Sequence, residues 1–173
     1  MSDDVSWYGA RATYHAKLEK MSRSTGFGRG DLFRAFVTMA SAALARRVEA
    51  LDGNGFPASE REQDYLDAVA RIGAESARQM PEVFSALVTN MEANEPFCDL
   101  LGPVYLAWCS RSKAGEVYTP PHICDAMAEM IGPKRDDPWP TSVLEPSCGS
   151  GQMILSAAKA LVKAGGTPLQ LKV

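Results

Sequence analysis

The chain has 173 residues, 46% of them hydrophobic, and a formal net charge of −3. That length supports one large or two small domains with a real core, and the slightly acidic balance argues against a free-standing nucleic-acid binder. No apolar run approaches the ~18 residues of a membrane span. The Met-Ser-Asp-Asp start lacks the basic and apolar regions of a signal peptide, so a cytoplasmic location and no membrane partner are expected.

Charge is unevenly spread. Residues 1–57 carry eight Lys/Arg against six Asp/Glu, residues 58–110 three against nine, and residues 111–173 seven against six. The acidic middle would repel phosphate and is expected to pack inward or face a partner. The four cysteines (Cys98, Cys109, Cys124, Cys148) include no Cys-x-x-Cys pair. Reduced thiols packed as small apolar residues are expected, and with only His15 and His122 to help, a zinc site is not.

In chain order, Trp7, Ala10, Tyr14, Leu18 and Met21 recur at helical spacing and predict a first helix over 6–22, with Ser6 as N-cap. Residues 24–30, rich in glycine but followed by no strand, read as a connector rather than a phosphate cradle. Asp31 is expected to cap a long helix to about Leu51, with a stripe of Leu32, Phe36, Met39, Ala43, Val48 and Leu51. Ser59-Glu60-Arg61-Glu62 is a capping box that opens a helix bearing Tyr65, Leu66, Val69 and Ile72. Met80-Pro81 should interrupt or restart it, because proline lacks the N–H and clashes with the preceding turn. Val83, Phe84, Leu87, Val88 and Met91 continue the stripe. Phe97–Ser110 predicts a further helix bent at Gly102-Pro103, and a helix follows from His122 to about Met130.

The most informative stretch is Ser142–Met153. Ser142–Glu145 reads as a buried strand, Cys148-Gly149-Ser150-Gly151 as a turn, and Gln152–Lys163 as a helix with apolar positions at Met153, Ile154, Ala157, Ala158, Leu161 and Val162. Such an elbow presents backbone N–H groups to a ligand, and its glycines let the ligand approach closely. A P-loop would need Gly-Lys-Ser/Thr, but Gln152 and Met153 follow Gly151. A dinucleotide fingerprint would want a glycine where Ile154 stands. A last strand is expected over Leu169–Val173.

Leu144-Glu145-Pro146-Ser147-Cys148-Gly149-Ser150-Gly151 resembles the S-adenosylmethionine loop of amino-group DNA methyltransferases. Gly115-Glu116-Val117-Tyr118-Thr119-Pro120 is similar to the segment that precedes it in that family, and Asp99-x-Leu101-Gly102-x-x-Tyr105 to a helix found before both in type I modification subunits. The resemblance covers roughly Asp99 to Leu161. It implies a fold that is mostly α, with an N-terminal helical domain over 1–112 and the βαβ start of a Rossmann-like methyltransferase domain over 113–173.

The resemblance also implies S-adenosylmethionine as cofactor. Glu116, Tyr118, Thr119, Pro120, Glu145, Pro146, Cys148, Gly149, Ser150, Gly151 and Gln152 are its candidate binding residues. Thr119 would offer its hydroxyl to the methionine carboxylate, Glu145 would accept from the ammonium, and the Cys148–Gly151 backbone would line the methionine end. DNA, a specificity subunit or a second copy of the chain are the implied partners. The family's Asn/Asp-Pro-Pro-Tyr/Phe motif, which holds the flipped base, is absent from the sequence. So are a Pro-Cys nucleophile and, after the second strand, the usual ribose acid. The chain alone is therefore expected to be inactive, with weak or no cofactor binding and no catalytic or metal-ligating residue. The alternative is a non-catalytic helical interaction or anti-restriction module with a vestigial loop.

Overall fold

The computed structural model describes residues 13–52, 58–110, 118–132, 141–167 and 171–172. Their order is α1 (Thr13–Thr25), α2 (Arg29–Asp52), α3 (Ala58–Ala93), α4 (Gly102–Trp108), α5 (Pro121–Ile131), β1 (Thr141–Ser142), α6 (Gln152–Lys163) and β2 (Leu171–Lys172). The fold is mostly helical. Contacts divide it into two compact units, Tyr8–Ala93 and one containing Asn94–Val173.

In the first unit, Tyr14, Leu18 and Met21 of α1 are buried with Leu32, Phe33, Phe36 and Met39 of α2 and Ile72, Met80, Val83 and Leu87 of α3. Spacings of three and four residues put each set on one helix face. The Tyr14 and Phe36 rings stack with centroids 6.0 Å apart. The part of the expected first helix before Thr13 lies outside the described residues. Its C-terminus is extended to Thr25, whose hydroxyl returns to the Met21 carbonyl at 2.7 Å. The glycine-rich segment is a three-residue link between α1 and α2. Asp31 is not the cap of α2 but sits in its first turn, where its charge favours the helix dipole and it pairs with Arg34 at 3.4 Å.

The long α3 corrects two expectations. The helix runs through Pro81, and its break is at Gly73, with φ 76° and ψ 153°. Proline costs about 3 kcal/mol inside a helix, but Met80 and Val83 on either side are 3% and 1% exposed. Their burial holds the turn together. Before the break, Ala68 and Ile72 face inward, while Tyr65 and Leu66 stay 37% and 52% exposed.

In the second unit, Asp99 Oδ1 accepts from the Leu101 and Gly102 N–H groups at 3.0 and 2.7 Å. That turn, with a proline in the first helical turn, starts α4 at Gly102, where a bend within a longer helix was expected. Helices α5 and α6 pack together, and Cys124 and Ala128 of the first and Ala157 and Leu161 of the second are buried. Small side chains let the backbones approach. Lys163 donates to Glu129 at the edge of the pair.

Thr141 and Ser142 pair in parallel with Leu171 and Lys172. The expected buried strand over Ser142–Glu145 is thus shorter, and Leu144 is 90% exposed. Among the described residues nothing covers that face, so the apolar residue points outward. Two buried cysteines (Cys109, Cys124), one half-buried (Cys98) and one exposed (Cys148) are all free thiols. No described helix is long and apolar enough to cross a membrane.

Candidate functional site

The elbow after β1 is built by local hydrogen bonds. Glu145 Oε1 accepts from the Ser147 N–H at 2.9 Å, and Cys148 O accepts from the Gly151 N–H at 2.8 Å. Gly149 has φ +54° and Gly151 φ +86°, so the chain reverses sharply before α6. No side chain caps α6. The first N–H groups of a helix have no intrahelical partner, and here they stay available at the elbow.

A second segment comes to meet it. Pro120 holds the backbone at φ −58° and ψ 143° just before α5, which sends Tyr118 and Thr119 back over the turn. A Cβ added at Gly149 would stand 3.4 Å from Tyr118 Cε1, so the aromatic ring lies against bare backbone. Tyr118 is itself braced by Tyr105 of α4, edge to face at 6.3 Å. Cys124 Sγ donates to the Thr119 carbonyl at 3.7 Å. Burial pushes the Cys124 thiol up, with Asp125 beside it adding to the effect, so the group stays a neutral donor.

Between the two segments lies a hollow of about 390 Å³ lined by Tyr118, Thr119, Cys124, Ser147, Cys148, Gly149, Ser150, Gln152 and Met153. The structure therefore brings six of the expected residues (Tyr118, Thr119, Cys148, Gly149, Ser150 and Gln152) around one cavity. Pro120, Glu145, Pro146 and Gly151 do not line it. Glu116 lies outside the described residues. Among the described residues no cluster of three or more His, Cys, Asp or Glu could hold a metal ion.

Sequence reasoning missed the lining roles of Cys124, Ser147 and Met153, and a support. The position a Cβ would take at Gly102 collides with the Asp99 carboxylate and lies 3.0 Å from Ser150 Cβ. The start of α4 thus presses on the elbow, and only a glycine fits there. The Asp-x-x-Gly spacing was the available signal.

A larger hollow of about 480 Å³ lies in the helical unit, lined by Ala42, Ala43, Arg46, Arg61, Glu62, Tyr65 and Leu66. No resemblance points to it.

A glycine elbow, an open helix start and an aromatic wall thus surround a cavity whose volume falls in the range of small-molecule sites. Residues 99–173 match the N-6 DNA Methylase family. Over 75 residues, 40% of this chain, the sequence is 33% identical to the Type I restriction enzyme MjaVIII methylase subunit of Methanocaldococcus jannaschii. The matched part covers 12% of that relative's length. No solved structure matches the chain. The C-terminal part of this chain is thus similar to N-6 DNA methylases, and the elbow and its hollow fall inside the matched residues.

Proposed function

We propose that the C-terminal unit is the cofactor-binding front of an S-adenosylmethionine-dependent DNA methyltransferase that modifies the exocyclic amine of adenine. The observation that carries this reading is the convergence of Tyr118-Thr119 and Cys148–Gln152 on one hollow, within the segment similar to N-6 DNA methylases. On this reading β1, α6 and β2 begin a Rossmann-like sheet over 113–173, and the helical unit Tyr8–Ala93 precedes it in the chain. The open edge of the two-stranded sheet and the outward Leu144 fit a sheet continued by further strands.

The residues present suit the cofactor. The cavity lies in the range of small-molecule sites, roughly 300–1,000 Å³. The uncapped start of α6 offers N–H groups to a carboxylate, Thr119 offers a hydroxyl, and the Tyr118 face offers an apolar wall. When bound, the sulfonium supplies an electrophilic methyl group. The contribution of this chain is to hold and orient it, which is the main requirement of such a transfer. Glu145 shapes the turn through Ser147, and Asp99 and Gly102 support Ser150 from behind.

The motif that grips the target base is absent from these residues, so we assign the chain no transfer activity of its own. DNA and a partner subunit of a restriction-modification assembly are the partners this reading implies. The test is a titration of isotope-labelled protein with S-adenosylhomocysteine, followed by nuclear magnetic resonance. Saturable shifts confined to Tyr118, Thr119 and 147–153 are expected. Shifts absent from these residues at saturating ligand would overturn the reading.

A further inference from the structure

The wall of the hollow at Gln152 is held by a line of hydrogen bonds whose direction is determined. Ser156 Oγ donates to Asp125 Oδ1 at 2.6 Å, and Lys159 Nζ donates to Oδ2 at 3.1 Å. The Ser156 hydroxyl, with Lys159 beside it, holds the Asp125 carboxyl below the usual carboxylate range. An ionised carboxylate only accepts. The Ser156 proton is thereby committed to Asp125, and what remains on its oxygen are lone pairs that can receive only a donor. Gln152 approaches that oxygen at 3.3 Å with its amide nitrogen. Ser156 is 2% exposed, so water does not compete for the place. Turning the amide over would set two acceptors against each other. The carbonyl oxygen of Gln152, with the second amide N–H, is then left over on a side chain that lines the hollow.

We propose that Asp125 and Ser156 are positioning residues that orient the Gln152 amide, so that Gln152 presents a hydrogen-bond acceptor to the hollow and selects ligands bearing an amine or ammonium group there. This deepens the cofactor-site reading above and rests on it. Lys159 neutralises Asp125, so the selection comes from the aimed carbonyl rather than from a net negative field. Glu145, expected from the resemblance to accept an ammonium, accepts from the Ser147 N–H through one oxygen and lies outside the lining. Gln152 takes over that position.

The experiment compares S-adenosylhomocysteine with its deaminated analogue, which differs only in the α-amine, using the full chain and the backbone amides of Gly149, Ser150 and Gln152 as reporters. One hydrogen bond to a charged group corresponds to a preference of about tenfold for the amine-bearing ligand. Gln152→Leu is expected to bring the ratio near one. Asp125→Asn lets the Ser156 hydroxyl turn round, and should lower the ratio and move the side-chain NH₂ signals of Gln152. Ser156→Ala, which keeps the helix packing, should lower the ratio in the same way. An unchanged ratio in both variants, with both ligands weakened alike, would mean a purely structural role and overturn the proposal. Equal binding of the two ligands by the unaltered protein overturns it while leaving the cofactor site standing. Binding of neither ligand removes the cofactor reading and the proposal together.

Discussion

The two units of this chain bury different kinds of side chain. The helical unit hides Tyr14, Phe36, Leu18, Leu32, Ile72 and Val83, large residues that fill space between long helices. The C-terminal unit hides Cys124, Ala128, Ala157 and Ala158 with Leu161 and Val104, and leaves Met130, Ile131 and Leu144 76%, 76% and 90% exposed. Large interlocking groups make a core that resists change. Small groups let two helices and a bare-backbone turn come close enough to frame a hollow, at the cost of less buried surface. The difference separates a region built for packing from one built for approach.

Substitutions can break that comparison. Phe36→Ala should destabilise the helical unit by about 3–5 kcal/mol, read by urea unfolding with resonances of that unit as reporters. The shifts that S-adenosylhomocysteine induces at 147–153 should stay as they are. A loss of those shifts in a still-folded C-terminal unit would show that the two roles are not separate. Leu161→Ala removes the largest buried group of the α5–α6 pair and should cost about 3 kcal/mol in the C-terminal unit. A cost near zero would mean that the small-residue packing alone holds the helices.

Gly102→Ala tests the support behind the elbow. The added methyl meets Asp99 and Ser150, and the crowding should cost about 2 kcal/mol while moving the Ser150 amide resonance. An unmoved Ser150 resonance would show that α4 does not brace the loop. Gly149→Ala is milder in stability, about 1 kcal/mol from the positive φ. It should weaken ligand shifts more than it weakens the fold, because the methyl enters beside Tyr118.

The smallest effect sharpens the comparison by pH. Burial lowers the His15 pKa, with Glu19 opposing, so the unfolded chain binds a proton more readily than the folded helical unit does. Stability there should fall as pH drops below the ordinary histidine value of 6.5. In the C-terminal unit the Asp125 pKa is lowered, by Ser156 first and then Lys159. Its contribution is present above the ordinary aspartate value of 3.8 and is lost as pH falls through the lower folded value. Between pH 6 and 4.5 the helical unit should therefore weaken before the C-terminal one. Coincident acid transitions in His15→Gln and unaltered protein would remove the histidine from this account.

Much of this was legible in the residues. Period-3.6 stripes located α1, α2, α3 and α6, and α6 has the expected limits, because a helix that buries one face must repeat its apolar residues on that face. The Leu144–Gly151 pattern located the elbow, because a sharp strand-to-helix turn needs residues without side chains. Local rules failed where packing outweighed them. Pro81 was expected to break α3, but the burial of Met80 and Val83 carries the helix through it, and the break falls at Gly73. Ser142–Glu145 was expected to be buried, but burial depends on what covers a face and not on the strand's own residues.

From its own order of residues the chain settled which segments are helical, where the backbone must turn and which loop could receive a ligand, since each depends on near neighbours along the chain. Only the folded arrangement decided that Tyr118 lies on Gly149, that Gly102 presses on Ser150 and that Asp125 aims Gln152 through Ser156. Those contacts join residues up to 48 positions apart. Their direction is set by how helices pack and by which proton each oxygen can give, and neither is written in any one segment.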